Sequence, residues 1–329
     1  MSRLNVLEQT ITACRHCPRL VAHREQVAHV KIRRFRDCDY WGRPVPGFGS
    51  SRARLLIVGL APAAHGGNRT GRMFTGDRSG DWLYRALHRA GFASQPHSIS
   101  RTDGMRLHDC YITATVRCAP PGNKPLPEEF NRCRPFLMEE LRLLRRVRVV
   151  VALGKIAFEG YLKACRELGY GRPHPRPAFG HGTAHPLPWG VMLIGSYHPS
   201  QQNTFTGRLT APMLDAIFAK ARLHLPPQPI KNKKIHHGYS EAIRILMRER
   251  ESGSLDAASR EAFETGRIWR DGASRAGETR PAMPAVHEDA RLEQGCARAR
   301  GPNCHATQEY GRPGGHVERD RTAPPRFLR

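Results

Sequence analysis

The side chains of this chain that can do chemistry gather in three places, each beside a long apolar run. The first is Gly59-Leu60-Ala61-Pro62-Ala63-Ala64-His65-Gly66-Gly67-Asn68-Arg69-Thr70-Gly71-Arg72-Met73-Phe74-Thr75-Gly76-Asp77. Its glycines and small residues let backbone N–H groups approach a ligand closely. Phe74 offers a flat apolar face for stacking a base, and Asp77 is the nearest carboxylate. A blander reading is a phosphate-binding loop with Asp77 as the N-cap of the next helix. The stretch matches neither the P-loop nor the dinucleotide fingerprint. The second place is Ser196–Thr204, SYHPSQQNT. His198, next to a proline, is held rigidly toward a pocket, and the hydroxyls and amides that follow, Ser200 and Gln201 among them, suit phosphate contacts. The competing reading is a hydrogen-bonded core histidine followed by a polar helix cap.

The third place is a set of cysteines. Cys14 and Cys17 form a C-x2-C pair, and Cys118 and Cys133 form a wide C-x14-C pair. Four thiolates suit either tetrahedral zinc or an iron–sulfur cluster. Zinc ribbons use two C-x2-C knuckles, and the second pair is too wide for one, so the spacing favours a 4Fe–4S cluster. The alternative makes Cys118 a buried strand-end thiol and leaves only the C-x2-C pair to bind anything. Cys38, Cys110 and Cys165 have no partner at ligand spacing and read as core or surface thiols.

These residues need a scaffold, and the apolar pattern supplies one from Leu4 to about Leu225. Four near-continuous aliphatic runs, Arg54–Gly59, Cys110–Val116, Val147–Leu153 and Val191–Tyr197, read as strands buried on both faces. Amphipathic helical stretches lie between and after them: Gly80–Ala90, Pro127–Leu144, Lys155–Leu168 and Leu209–Leu223. Strands alternating with helices imply an α/β fold with a central parallel four-stranded sheet covered on both sides. Ligands bind such sheets at the carboxyl ends of the strands, where the stretches above begin. From Pro226 the pattern stops. Residues 226–329 are rich in Gly, Pro, Arg and Ala without periodicity, and they read as a disordered basic tail.

The formal net charge of the 329-residue chain is +24. That excess favours polyanions, nucleic acid before an anionic membrane, although arginines on solvated faces would give the same count. No apolar run approaches the ~20 residues of a membrane span. The N-terminus MSRLNVLEQTITAC lacks a signal-peptide h-region, so a cytoplasmic protein is expected. There the nine cysteines are expected to be metal ligands or thiols rather than disulfides.

Taken together, the segments CRHCPRLVAHRE, YWGRPVPGFG, GLAPAAHGGNRTGRMFTGDRSGDWLY, VRCAPPGNKP and YHPSQQNTFTGRLT closely resemble the iron–sulfur branch of the uracil-DNA glycosylase superfamily, and within it family five. The resemblance covers about residues 4–224. It implies a three-layer α/β/α sandwich and hydrolysis of the N-glycosidic bond of deaminated bases in DNA, the first step of base excision repair, by a monomer acting on chromosomal DNA. It assigns the 4Fe–4S cluster to Cys14, Cys17, Cys118 and Cys133. Family four carries GEAPG where this chain has Gly59-Leu60-Ala61-Pro62-Ala63; its acidic residue is Leu60 here, and the resemblance gives that role to Asp77. It adds Asn123 and His198 as catalytic residues. It implies a base pocket lined by Gly59, Leu60, Ala61, Pro62, Phe74 and Ala114, with Ser200, Gln201 and Arg208 expected to contact DNA. Uracil-specific relatives read the pyrimidine with an asparagine at the place of Ala114, so the resemblance implies a broader substrate range that includes hypoxanthine. The competing class is a damage-binding iron–sulfur module without turnover.

Overall fold

The computed structural model describes residues 2–225. The expected disordered tail, 226–329, lies outside the described residues. In chain order the elements are α1 (Arg3–Ala13), α2 (Pro18–Val30), β1 (Phe48–Gly49), β2 (Leu55–Gly59), α3 (Gly67–Thr70), α4 (Arg78–Arg89), β3 (Cys110–Ala114), α5 (Pro127–Leu143), β4 (Val149–Leu153), α6 (Lys155–Glu167), β5 (Ala184–Leu187), β6 (Val191–Ser196), α7 (Gln201–Phe205) and α8 (Ala211–Leu223).

Every residue of β2, β3 and β4 is buried, which is why these segments read as unbroken apolar runs rather than alternating ones. Alternation is still at work, because successive side chains leave a strand on opposite faces. Leu55, Ile57, Val149 and Val151 pack with Leu83, Tyr84 and Leu87 of α4 and with Leu214, Ile217 and Phe218 of α8. Leu56, Val58, Val150 and Ala152 face the other way, onto Leu4, Leu7 and Ile11 of α1 and Phe158 and Tyr161 of α6. The result is a three-layer α/β/α sandwich.

The sheet order is β1-β3-β2-β4-β6-β5. The four expected strands pair in parallel at its centre. Beyond this expected parallel centre the sheet gains an edge strand on each side, where β1 runs antiparallel to β3 and β5 antiparallel to β6. β1 is two residues long, too short to carry a pattern. β5 contains Pro186, which an edge strand tolerates because the lost donor can face outward. Cys38 is buried. Cys110 and Cys165 are buried free thiols, as expected.

The register brings the strand ends together. Gly59 of β2 pairs with Ala114 of β3, and Leu153 of β4 pairs with Ser196 of β6. The segments that follow these residues therefore leave the same edge of the sheet. Among the described residues no helix is long and apolar enough to cross a membrane.

Candidate active site

Phe74 and His198 meet above the ends of β2 and β6. Their ring centroids are 5.8 Å apart, with the planes tilted by 33°. Phe74 has φ +53°, a left-handed backbone that a bulky residue adopts only under constraint from its surroundings. That constraint is visible. Tyr84 Oη donates to the Met73 carbonyl at 3.0 Å. Arg72 donates to Thr75 Oγ1, Ser98 Oγ and both carboxylate oxygens of Asp103. The Phe74 ring also lies against the backbone of Gly59, where a Cβ would stand 2.8 Å from the ring. Gly59 is thus required for close approach, not for an unusual dihedral angle.

His198 is fixed through its backbone. Its carbonyl accepts from Asn203 Nδ2 at 2.8 Å, and the preceding Tyr197 N–H donates to His181 Nδ1 at 3.1 Å. Among the described residues no hydrogen bond engages the His198 ring itself. Burial pushes its pKa down to about 4, so the ring is neutral near pH 7 and one nitrogen remains a donor.

Asp77 unites the two readings made of it from sequence. Its Oδ1 accepts from the Gly80 N–H at 2.8 Å, which caps α4. The carboxylate also presses against Gly66, where any Cβ would collide with Oδ2. Desolvation pushes its pKa up to about 6; the Gly80 and Ser79 N–H groups and the Arg69 charge oppose this, while Asp81 adds to it. The residue keeps some exposed surface, yet the carboxyl itself sits among protein atoms, so the upward direction stands. Such a group is close to its titration point at neutral pH, which is where an acid–base residue is expected. Arg69 braces the same loop, donating from Nε to the His65 carbonyl and from Nη2 to the Gly76 carbonyl.

The other expected residues are distributed unevenly. Pro62 is buried and Leu60 and Ala61 are partly so, with the Leu60 carbonyl tied to Val116 N–H and Thr115 Oγ1. Ala114 is buried in the same apolar cluster as Phe74. Asn123 is exposed on a tight turn with φ +58°, and no interaction found in the structure joins it to Asp77 or His198. Ser200 caps α7, Gln201 is exposed, and the Arg208 guanidinium lies 4.6 Å over the Tyr197 ring. Sequence reading passed over Phe205, 65% exposed on α7, with the Arg78 guanidinium 4.1 Å over its ring. An aromatic seven residues after His198 was the available signal. A separate cleft of about 300 Å³ lies between α5 and α6 and contains none of these residues.

The four cysteines converge. Cys14 closes α1 and Cys17 opens α2; Cys118 follows β3 and Cys133 lies in α5. Arg19 on α2 clamps Glu129 on α5 with two bonds of 2.8 Å, and Arg132 Nη1 reaches the His16 carbonyl at 3.1 Å. Those contacts bring both pairs to the wall of one cavity, which Arg24, Arg117 and Arg132 also line. Among the described residues no three donors converge tightly enough to hold a single metal ion. Burial pushes the Cys118 thiol up to about 11 and the Cys133 thiol up to about 12, despite Arg24 and Arg117 beside them. Among the described residues, buried Arg24 Nε, Arg117 Nε and Arg117 Nη1 have no hydrogen-bond partner.

Fold and site together define an α/β protein with an aromatic–imidazole pair and a buried carboxylate at its strand ends. Residues 46–222 match the family model of the Uracil DNA glycosylase superfamily. The chain is 58% identical over 217 residues to the type-5 uracil-DNA glycosylase of Mycobacterium bovis, covering 66% of this chain and 80% of that protein. It is 57% identical to the type-5 enzyme of Mycobacterium leprae, over 66% of this chain and 93% of the relative. The type-5 enzyme of Thermus thermophilus is 54% identical, over 65% and 94% respectively. The chain belongs to the uracil DNA glycosylase superfamily.

Proposed function

We propose that the protein is a DNA glycosylase that hydrolyses the N-glycosidic bond of uracil, and of deaminated purines such as hypoxanthine, and so opens base excision repair. The observation that carries this reading is the tilted Phe74–His198 ring pair with Asp77 on the same loop as Phe74. The target nucleotide leaves the duplex, and its base lies on Phe74. Bond breaking leaves positive charge on the sugar and negative charge on the base. Neutral His198 donates a hydrogen bond to the base, a contribution of roughly 3–4 kcal/mol for one well-placed donor. Ionised Asp77 stabilises the sugar cation and orients water, whose oxygen bonds to the sugar carbon while a proton goes to the departing base. Asn123 helps to hold water or base. Ser200, Gln201 and Arg208 hold the phosphates, and Phe205, exposed and backed by Arg78, faces the duplex.

The breadth of substrate rests on Ala114, which leaves the pyrimidine edge unread. A panel of duplexes carrying uracil or hypoxanthine tests it. Both are expected to be released, and Ala114→Asn is expected to narrow release toward uracil. Release of uracil and never of a purine would overturn the broad reading. Cys14, Cys17, Cys118 and Cys133 would hold a 4Fe–4S cluster, which when bound supplies a crosslink between the N-terminal helices and the Cys118–Cys133 segment. Anaerobically purified protein is then brown and contains iron, whereas stoichiometric zinc without iron would exclude the cluster.

A further inference from the structure

We infer that Arg24 and Arg117 are the sulfur-facing donors of the cysteine cavity, hydrogen-bonding to the sulfurs of the iron–sulfur cluster, with Arg24 balancing its negative charge. The inference rests on the cluster reading above and assigns two residues that the cysteine spacing does not reveal.

Both side chains are almost wholly buried, Arg24 at 2% exposure and Arg117 at 1%. An ordinary buried arginine is fully paired with carboxylates and carbonyls. These two are not. Arg24 Nη1 donates to Cys118 Sγ at 3.0 Å, and the Arg117 backbone N–H donates to Cys133 Sγ at 3.3 Å. Arg24 Nε, Arg117 Nε and Arg117 Nη1 find no acceptor. Arg117 Nη2 is paired with buried Glu140 at 2.5 Å. The nearest carboxylate to Arg24 is Glu25, 3.6 Å away and partly exposed. Arg24 Nη1 and Nη2 also donate to the Cys14 carbonyl at 3.3 Å, so this buried cation is set against the Cys118 sulfur and the Cys14 backbone. Four thiolates around an iron–sulfur core supply both the missing charge and acceptor sulfurs.

The same arginines connect the cavity to the two walls of the base site. The Arg24 carbonyl accepts from Asn68 Nδ2 at 3.1 Å, and Asn68 lies in α3, just ahead of the Phe74–Asp77 loop. Glu140, paired with Arg117, also accepts from Thr113 Oγ1 at 2.5 Å, one residue before Ala114. Each donor thus ties the cluster to one side of the pocket.

The test uses anaerobically purified full-length protein, wild type against Arg24→Gln, Arg24→Lys and Arg117→Lys. Iron, acid-labile sulfide, reduction potential and bleaching of the visible band under an iron chelator are measured. Arg24→Gln is expected to bleach ~10-fold faster or more, in the range seen when groups supporting a metal's ligands are removed. Its potential is expected to move more negative, because a cation that favours the added electron is gone. Arg24→Lys keeps the charge and loses the fork, so its potential stays near wild type while bleaching still accelerates. Arg117→Lys leaves Glu140 a partner and probes the second donor; with Arg24→Lys it decides the matter if Arg24→Gln does not fold. Wild-type protein with iron and sulfide, and variants identical to it in potential and bleaching, would overturn the inference and leave the cluster standing. Wild-type protein without iron and sulfide would overturn both.

Discussion

Replacing Asp77 by Asn is expected to make the protein more stable and nearly inactive. The Asn amide oxygen can still accept from the Gly80 N–H, so the cap of α4 survives with little change. What is lost is a buried charge. The rise of the Asp77 pKa from 3.8 to about 6 corresponds to ~3 kcal/mol of destabilisation once the group ionises. Between those values the folded state binds more protons than the unfolded chain, so this contribution to stability falls as pH rises through the window. His198 acts in the opposite sense. Its pKa is pushed from 6.5 to about 4, so the unfolded chain binds more protons between them and stability rises with pH. In the wild type the two contributions oppose each other between about pH 4 and about pH 6, and Asp77→Asn retains only the rising one. Its stability at neutral pH gains up to ~3 kcal/mol, measured by chemical denaturation from about pH 4 to about pH 8. Single-turnover base release moves the other way. If the carboxylate supplies ~3 kcal/mol to the transition state, the rate falls more than about a hundredfold. The wild-type rate also declines as pH drops through about 6, and the variant loses that acid limb. A variant rate within about threefold of wild type, with the acid limb intact, would refute the catalytic role and leave Asp77 as a helix cap.

Further substitutions probe the rest of the site. His198→Ala is expected to slow release by about a hundredfold or more, with a smaller loss on bases that leave readily as anions; equal losses on every base, read in single turnovers, would contradict the donor role. Gly59→Ala drives a methyl group into the Phe74 ring and is expected to cost about 1–3 kcal/mol in thermal stability. Phe74→Leu added to it recovers stability without recovering activity, and recovery of both would show that Phe74 does not carry the base. Phe205→Ala removes a 65% exposed ring and is expected to weaken binding to lesion DNA by about 1–3 kcal/mol in titration while leaving folding unchanged; unaltered affinity would remove Phe205 from the DNA surface.

The central sheet was legible because β2, β3 and β4 are buried on both faces and therefore almost purely apolar. The edge strands were not, since two-residue β1 and Pro186-bearing β5 carry no period. Helix α2 was missed for a related reason: Arg24 occupies a buried position on it and reads as a surface charge. The strand-end placement of Phe74, Asp77 and His198 followed from the fold, but their contacts did not. Nothing in the spacing of Gly59 and Phe74 announces that one ring lies on the other's backbone. The convergence of Cys14 and Cys17 with Cys118 and Cys133 depends on Arg19–Glu129, a contact across 110 residues. The dual position of Asp77, cap and buried carboxyl, is visible only once the loop closes over Gly66.

The most direct measurement is the release of free uracil, detected by mass spectrometry, from a duplex containing a single uracil incubated with wild-type protein in excess. Free uracil and an abasic strand, formed by wild type and lost together in Asp77→Asn and His198→Ala, are the predicted result. An intact uracil strand after tight binding of wild-type protein would contradict the account and make the chain a lesion-binding module without turnover.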